Sequence, residues 1–598
     1  MRQDTTLTLV PAAAEVNGPE GEVLDWLAVD WQVVEDSIRR LRQRIFTATR
    51  EGDLKQVRNL QKLMLRSRAN ALVSVRRVTE VNAGRKTAGI DGVLVTDPKD
   101  KAELAELVQH RAAPDTARPV RRVFIPKRGS TKQRPIGIPV IADRCRQAVA
   151  VNALEPEWEA RFEPKSYGFR PGRGCHDAIA AIFATAHGRD ARRCWALDAD
   201  LTAAFDRIGH DHLLSMLGTF PARDQVAAWL KAGVIDRGRF AATEEGTPQG
   251  GVISPVAFNI ALHGMEQAAG VRYQDTGVDA GATKRDSPVL VRYADDFVVF
   301  CESREAAEQV KAKLTGWLAG RGLAFNEDKT RVVHLDDGLD FLGFTIRRHH
   351  GKLLIKPSRT AVARIKERLR TEVRALRGTN AEAVIGRLNP IIRGWAAYYR
   401  GAVSSKVFSS LDAYLWKLTY KWARSSHPNK PKLWVTARYF GAFNKSRNDR
   451  WVFGDRASGA YLAKFSWTKI VRHQLVKGTA SPDDPALTQY WAQRRRRRAL
   501  PPVDRLTLHL LTKQDGQCKW CGNLLLFADD PPQSPREWER WARSVKAATA
   551  KKAIGYQGDG TSDYSTIGLI HAACRRKITT GGANRAPLQP AREPSGLA

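Results

Sequence analysis

Two adjacent carboxylates stand between short apolar runs in the segment Tyr293–Asp296, which reads YADD. The apolar runs are 289–291 and 297–300, and the pattern predicts a strand, a tight turn carrying the acids, and a second strand. Apolar strands create a low-dielectric environment, in which the ionised Asp295 and Asp296 would repel each other and lose hydration unless a cation neutralised them. A divalent metal site resolves this conflict, whereas an Asp-Asp hairpin turn exposed to water would need no metal.

A third acid favours the metal. In the segment 195–201 (WALDADL) the alternation places Asp198 and Asp200 on one face of a strand. Nucleotidyl transfer uses two Mg²⁺ ions about 3.5–4 Å apart, which hold the attacking 3′-hydroxyl and the leaving pyrophosphate and require carboxylates from more than one strand. One of these two acids is therefore expected to join Asp295 and Asp296.

Composition indicates a polyanionic partner. The chain contains 97 Lys and Arg against 63 Asp and Glu, a net charge of +34. Such an excess attracts nucleic acid, and its clustering in Arg494–Arg498 disfavours a generally basic surface without function. The sequence has no apolar run of about eighteen residues, and residues 1–22 lack the pattern of a signal peptide. We therefore expect a cytoplasmic protein without a membrane partner.

Eight motifs follow one another in the order found in a known family. A single short match carries little weight in a long chain, but eight in order are specific. They resemble the reverse transcriptases encoded by bacterial group II introns, which are also maturases. The resemblance covers residues 31–440, with weaker similarity over 511–580. The motifs are Asn82–Gly92 (NAGRKTAGIDG), Arg121–Pro139 (RRVFIPKRGSTKQRPIGIP), Ser166–Arg173 (SYGFRPGR), Asp200–His210 (DLTAAFDRIGH), Gly246–Pro255 (GTPQGGVISP), YADD, Asn326–Thr330 (NEDKT) and Phe341–Gly343 (FLG).

The resemblance implies an α+β protein with a right-hand polymerase fold. Fingers, a palm with an antiparallel sheet, a helical thumb and maturase domain, and a small zinc-binding C-terminal domain are expected. The expected divisions are a flexible tail at 1–22, an N-terminal extension at 23–118, fingers and palm at 119–347, thumb and maturase domain at 358–475, a basic linker or DNA-binding segment at 476–510, and an HNH-like domain at 511–598.

The resemblance also assigns roles to the acids. Asp200, Asp295 and Asp296 would hold the two catalytic Mg²⁺ ions, and Asp198 would have a structural role. Lys329 would donate a proton to the departing pyrophosphate, provided that its position and pKa suit the task.

Four further side chains are expected to bind substrate. Lys127 and Arg134 belong to a predicted basic hairpin that can lie over the incoming triphosphate, although solvated loop side chains are the alternative. Phe205 would exclude a ribose 2′-hydroxyl by its bulk, or else serve only as a core residue. Tyr293 of the YADD turn is placed in the same substrate-binding set.

A glycine-rich segment and a second turn complete the expected site. The segment 246–251 would expose its backbone, with Gln249 near nucleotide and template, and Ser254-Pro255 would supply the N-cap and first residue of the next helix. The turn Phe341-Leu342-Gly343 would grip the primer end, where glycine allows a close approach of the backbone.

The aromatic cluster of the segment 388–400 is expected to pack in the core rather than stack on bases. RNA contact would then fall to basic side chains around it. The aromatic residues are Trp395, Tyr398 and Tyr399, and the basic ones are Arg393, Lys421 and Arg424.

The C-terminal region offers four zinc ligands in two pairs, Cys518 with Cys521 and His571 with Cys574. Two such pairs suit one tetrahedral structural Zn²⁺. The position resembles the family's HNH endonuclease domain, but no histidine lies between Cys521 and His571, and Arg575 stands where the family usually has histidine. We expect a zinc-binding fold without nuclease activity.

The function expected is RNA-directed DNA synthesis combined with maturase activity in intron splicing and a role in intron mobility. The partners would be intron RNA, an RNA template, a DNA primer or target DNA, and deoxynucleoside triphosphates. Two alternatives remain open: a maturase that only binds and folds RNA, and a domesticated reverse transcriptase, for example one used in phage defence.

Overall fold

The architecture is that of a computed structural model. Helices alternate with small, mostly antiparallel sheets, so the expected α+β class is confirmed. The structure describes residues 24–110, 117–126, 133–276, 280–444 and 446–496, together with the separate stretches 509–511, 513–514, 518–520, 525, 532–550, 554–557 and 568–579.

The helices and strands have the following bounds. The helices are α1 (Trp31–Arg50), α2 (Leu54–Arg66), α3 (Arg68–Arg76), α4 (Pro98–Gln109), α5 (Ile141–Glu159), α6 (Cys175–Ala186), α7 (Ala204–Arg207), α8 (His210–Leu217), α9 (Arg223–Lys231), α10 (Ser254–Ala261), α11 (Met265–Ala268), α12 (Arg304–Ala319), α13 (Arg359–Ala375), α14 (Ala381–Tyr399), α15 (Ser405–Ser426), α16 (Lys432–Tyr439), α17 (Thr488–Arg496), α18 (Pro535–Ala550) and α19 (Ala572–Thr579). The strands are β1 (Val120–Pro126), β2 (Gln133–Ile138), β3 (Trp195–Ala199), β4 (Val234–Asp236), β5 (Arg239–Ala241), β6 (Val289–Tyr293), β7 (Asp296–Cys301), β8 (Arg331–His334), β9 (Leu339–Phe341), β10 (Phe344–His349), β11 (Lys352–Pro357), β12 (Phe440–Gly441), β13 (Val452–Phe453), β14 (Ile554–Gln557) and β15 (Gly568–His571).

The N-terminal helices begin at side-chain caps. Asp30, Asp53, Ser67 and Asp97 each accept a hydrogen bond from a backbone N–H in the first turn of the helix that follows. These bonds satisfy donors that have no partner within the helix, so each helix has a defined start.

The predicted basic hairpin is present. β1 and β2 pair antiparallel along their whole length, and β4 and β5 extend the sheet in the order β2-β1-β4-β5. Glycine is required where this sheet meets the glycine-rich segment, because a Cβ on Gly250 would lie 2.4 Å from Gly137 O.

The central sheet has the order β6-β7-β3-β8 and is antiparallel throughout, as expected for a palm. Every residue of β7 after Asp296 is buried, because α10 and α12 cover one face and α6 covers the other. A strand covered on both faces gives the continuous apolar run seen in the sequence. The register pairs Ala199 with Phe297, so that the next residues, Asp200 and Asp296, lie side by side at the same end of the sheet.

A small sheet in the order β11-β10-β9 leads from the central sheet to the helices α13–α16. Trp395, Tyr398 and Tyr399 of α14 are buried in the core beneath it, as the sequence favoured. Among the basic residues expected to contact RNA, Arg393 and Lys421 are exposed and Arg424 is half-buried.

Residues 476–496, which we call the strap, pack against the rest of the chain, and the DNA binding expected of this basic segment stays a prediction. Asp483 and Asp484 are buried. Arg42 of α1 donates to Asp483 through Nε and Nη2 at 2.8 and 2.7 Å, and Arg50 Nη1 lies 2.9 Å from Asp484 Oδ2. The strap is therefore packed on the N-terminal helix α1, because Asp483 and Asp484 form ion pairs with arginines of that helix. Most of the remaining predicted segment lies outside the described residues.

The stretches beyond residue 509 include the antiparallel hairpin β14–β15 and the helices α18 and α19. α18 packs across α14 at Gly394, where a Cβ would lie 2.8 Å from both Glu539 N and Pro535 O. Within the part of the chain that the structure describes, no helix has the length and apolar character needed to cross a bilayer.

Candidate active site

The predicted acids meet at one end of the central sheet. Tyr293 pairs with Asp296 across the hairpin, and Ala294 in the turn has a φ of +58°. Asp200, which directly follows β3, lies beside Asp296. Asp200 and Asp296 line a cavity of about 360 Å³.

Burial and mutual repulsion act on the two acids of the turn. Burial, followed by the charges of Asp295 and Asp200, raises the pKa of Asp296 to about 7. Burial also raises the pKa of Asp295, and the charge of Asp200 adds to the effect. Carboxylates in this state favour a neutralising cation, and carboxylate oxygens from two strands are ligands that Mg²⁺ accepts. The residues present therefore fit the divalent metal that the sequence predicted.

Asp198 and Asp200 each pair with a basic side chain, and both line the cavity. Arg331 on the neighbouring strand β8 donates through Nε to Asp198 Oδ2 at 3.2 Å. Lys329 Nζ donates to Asp200 Oδ2, and this hydrogen bond raises the pKa of Lys329. Both basic side chains are exposed, 54% for Arg331 and 63% for Lys329. The two acids differ in position, because the register pairs Asp198 with Val298 and sets Asp200 beside Asp296.

The predicted triphosphate-binding hairpin faces the same acids. Arg134 is exposed on β2. Its positive charge is close enough to Asp295 to lower the pKa of that carboxyl, which opposes the effect of burial. Lys127 lies outside the described residues. Gln249 is half-buried. Its backbone carbonyl oxygen accepts a hydrogen bond from Gly137 N at 3.1 Å, which holds the glycine-rich segment against β2.

Ser254 is the first residue of α10 and not its N-cap. The preceding residue, Ile253, already has helical torsion angles. The Ser254 hydroxyl donates instead to Pro248 O at 2.8 Å and accepts from Thr247 Oγ1 at 2.7 Å. The prediction of a serine cap was wrong because this hydroxyl closes the glycine-rich loop.

Two aromatic rings lie together next to the turn. Phe205 is half-buried and stacked on Phe258, with ring centroids 4.5 Å apart. Phe169, which sequence reasoning did not single out, meets Phe205 edge-on at 6.0 Å, is 46% exposed and has a φ of +59°. Gly168 allows this approach, because a Cβ there would lie 2.3 Å from Ala294 N. A glycine followed by an aromatic residue in the SYGFRPGR motif was the available signal.

A buried arginine supports the turn from behind. Arg292 is fully buried, and burial lowers its pKa to about 10. Its Nη1 donates to Asn259 Oδ1 at 3.0 Å, and Asn259 Nδ2 donates to Gly168 O at 2.8 Å. This chain of contacts connects α10, β6 and the segment beside the turn. Its sequence signal was a charged residue at the end of an apolar strand.

The turn Phe341-Leu342-Gly343 borders the same cavity, which Phe341 and Leu342 line. It joins β9 to β10, which pair from Phe341 and Phe344 onward. The expected primer-gripping turn and the acids therefore border one cleft.

A second group of potential metal ligands lies in the C-terminal region. One ligand atom from each of Cys518, His571 and Cys574 lies within 4.8 Å of the others. Cys518 is buried, and His571 and Cys574 sit at the junction of β15 and α19. Cys521 lies outside the described residues.

Three segments of the chain match known families. Residues 125–346 match "Reverse transcriptase (RNA-dependent DNA polymerase)". Residues 26–108 match "N-terminal domain of reverse transcriptase", and residues 362–440 match "Group II intron, maturase-specific domain".

Curated relatives agree with these matches. Protein YkfC of Escherichia coli (strain K12) is 34% identical over 313 residues, which are 47% of this chain and 81% of YkfC. The group II intron-encoded protein LtrA of Lactococcus lactis subsp. cremoris is 30% identical over 284 residues, 38% of this chain and 47% of LtrA. An uncharacterized 91 kDa protein in a cob intron of Schizosaccharomyces pombe is 27% identical over 450 residues, 61% of this chain and 54% of that protein.

The chain thus spans most of YkfC and about half the length of LtrA and of the cob-intron protein. The order of the matched segments, N-terminal domain, polymerase and maturase-specific domain, agrees with the order of helices, acid-bearing sheet and helical segment in the structure. The chain belongs to the family of group II intron-encoded reverse transcriptases and maturases, with the right-hand polymerase fold of that family.

Proposed function

We propose that RNA-directed DNA synthesis takes place in the cleft lined by Asp200 and Asp296, and that the same chain binds intron RNA as a maturase. The observation that carries the proposal is the arrangement of Asp200, Asp295 and Asp296 at one end of an antiparallel sheet. The purified chain should extend oligo(dT) on poly(A) in the presence of Mg²⁺. Complete lack of extension would contradict the proposal.

Asp200, Asp295 and Asp296 would hold two Mg²⁺ ions, which when bound would activate the primer 3′-oxygen and neutralise the leaving pyrophosphate. The remaining chemistry is positioning. Lys329 is the proposed proton donor at the pyrophosphate side, because its ammonium group lies beside Asp200 and its side chain is exposed. Arg134 would contact the triphosphate.

The maturase activity is proposed for the helical segment matched at 362–440 and its basic surroundings. Exposed Arg393 and Lys421 are candidates for phosphate contact, since the aromatic residues between the helices are buried. A maturase without polymerase activity is disfavoured, because the acids, the glycine-rich segment and the basic hairpin are all present. A domesticated reverse transcriptase would share these features. The DNA that flanks the gene distinguishes the two: a sequence there that encodes a folded group II ribozyme would show that the protein is encoded by an intron.

RNA binding should weaken steeply as salt concentration rises. Neutralising about six or more phosphates releases counterions, so the affinity should fall by about 10³-fold between about 50 and 200 mM monovalent salt. Filter binding or fluorescence anisotropy at several fixed salt concentrations measures the slope. Asp296→Asn is the matched control and should give the same slope, because it leaves the basic surface intact. An RNA affinity that does not change with salt concentration would contradict the electrostatic interpretation of the +34 charge.

We further propose that Cys518, Cys521, His571 and Cys574 hold one structural Zn²⁺. Three of these residues have ligand atoms within 4.8 Å of one another, and thiolate and imidazole are the ligands that a structural zinc site uses. Among the residues that the structure describes, the buried core around Cys518 is small, and a bound metal would contribute to its folding.

The full chain should therefore contain one zinc ion per molecule and cut no DNA. Cys518→Ser and Cys574→Ser should lose the metal, whereas Cys194→Ser, a half-buried cysteine of the polymerase part, should keep it. Elemental analysis measures the zinc, and a nicking assay with Mg²⁺ or Mn²⁺ measures cleavage. Absence of zinc from the unmodified chain would overturn the metal site, and site-specific cutting that disappears on Cys518→Ser would overturn the inactive nuclease. Without cleavage, mobility would depend on a primer made elsewhere, such as a nascent strand at a replication fork.

A further inference from the structure

The turn Leu342-Gly343 has a backbone conformation that its own sequence does not favour. Both residues have positive φ, +50° for Leu342 and +83° for Gly343, and they form the two-residue connection between β9 and β10. Glycine, asparagine and aspartate suit such a turn, whereas leucine is strained in this region because its Cβ crowds the backbone. The turn therefore needs contacts from elsewhere to keep its shape.

Two neighbouring tyrosines of α14 supply those contacts. Tyr398 Oη donates to Leu342 O at 3.0 Å, and Tyr399 Oη donates to Gly343 O at 3.2 Å. A third bond to the same turn comes from Ser358 N, which donates to Gly343 O at 2.9 Å. The carbonyls of both turn residues are thus held from one helix, about 56 positions further along the chain.

Packing fixes the two tyrosine rings. Tyr398 and Tyr399 are 5% and 3% exposed, and both contact Phe344, with ring centroids 5.4 and 4.9 Å away. Trp395 packs on Tyr399 at 4.3 Å. Burial raises the pKa of both tyrosines, so both hydroxyls remain donors at physiological pH. Each ring has little freedom to move, and each hydroxyl therefore acts as a fixed donor.

The Tyr399 hydroxyl leaves no space for a side chain at position 343. A Cβ added to Gly343 would lie 2.9 Å from Tyr399 Oη. The neighbouring Leu342 lines the cavity that Asp200 and Asp296 also line. A shift of the turn by about 1 Å would move whatever strand rests on it relative to the acids, and displacements of that size can lower a rate by about 10²-fold.

We propose that Tyr398 and Tyr399 are positioning residues for the primer strand. Their hydroxyls hold Leu342 and Gly343 in the left-handed turn, and through this turn the maturase-specific segment sets where the primer end lies relative to the acids. This inference rests on the proposed polymerase function and assigns part of the primer site to a helix of the maturase-specific segment.

The test replaces each tyrosine with phenylalanine, which keeps the ring and removes only the hydrogen bond. For Tyr398→Phe and Tyr399→Phe we expect kcat/KM for oligo(dT)·poly(A) to fall by about tenfold, with the KM for dTTP and the affinity for RNA within about twofold of the unmodified protein. The matched control is Tyr439→Phe. It removes a hydrogen bond with His427 Nε2 of 2.7 Å in the same helical segment, away from the turn, and should change kcat/KM by less than about twofold.

A second variant separates positioning from general loss of structure. Gly343→Ala should reduce primer use in the unmodified chain, but its additional effect should be smaller in Tyr399→Phe, because the hydroxyl that the new methyl group meets is absent. Additive effects of these two substitutions would contradict the direct contact.

The possible failures are distinguishable. Tyrosine variants that keep wild-type kcat/KM for primer–template, or that lose RNA affinity and thermal stability in parallel with primer use, would overturn the positioning role and leave the polymerase function intact. An unmodified chain that extends no primer would overturn both.

Discussion

Asp295→Asn or Asp296→Asn is expected to reduce primer extension on an RNA template by at least about 10³-fold, because each substitution removes a carboxylate ligand and a negative charge from the proposed metal site. RNA affinity should stay nearly unchanged, since the net charge of +34 that attracts RNA becomes only slightly more positive. Extension of oligo(dT) on poly(A), beside an RNA-binding titration at fixed salt, measures both quantities.

The structure provides graded controls for this result. Asp198→Asn should be milder than Asp200→Asn, because the register sets Asp200 beside Asp296 and its charge acts on both Asp295 and Asp296, whereas Asp198 pairs with Val298 further back along β3. Asp224→Asn alters a side chain that is 85% exposed on α9 and should have no effect. Substantial synthesis by both Asp295→Asn and Asp296→Asn would refute the assignment of the acids, and a more severe loss from Asp198→Asn than from Asp200→Asn would show that the metal ligand on β3 was wrongly chosen.

Phe205→Ala is expected to increase ribonucleotide incorporation relative to deoxyribonucleotide incorporation by about 10²-fold. The proposed barrier is steric, and shortening this half-buried side chain opens space for a 2′-hydroxyl. Single-nucleotide extension with matched ribo- and deoxynucleoside triphosphates gives the ratio of the two kcat/KM values.

Two further variants isolate the steric effect. Phe205→Tyr keeps the bulk and should keep the discrimination. Phe183→Ala removes a ring that is 41% exposed on α6 and should leave the ratio unchanged. Unchanged discrimination in a folded Phe205→Ala protein would show that Phe205 is only a packing residue, and its thermal unfolding midpoint would establish that the protein is folded.

Much of the framework could be predicted because it depends on local pattern. The apolar runs on either side of YADD became β6 and β7, and the two runs around the basic loop became β1 and β2. These features follow from the length and alternation of apolar runs, so neighbouring residues determine them.

Other features depended on residues far apart in the chain. Asp483 of the strap is held by Arg42 across 441 positions, a pairing that no local pattern indicates. Ser254 resembled a helix cap by position, but its hydroxyl is used by the glycine-rich loop. Hydrogen-bonding groups take whichever partner the fold brings within reach, and sequence spacing does not define that partner.

The sequence by itself determined the chemistry of this protein: the acids, their apolar strands, the order of the motifs and the basic charge. Only the tertiary structure decided how that chemistry is positioned. The register of β3 with β7 set Asp200 beside Asp296, Gly168 brought Phe169 to the turn, and two tyrosines of a distant helix held the turn at Gly343. The physical reason is that ligand type is a property of single residues, whereas register, close backbone contact and the stabilisation of strained turns are properties of pairs that meet only when the chain has folded.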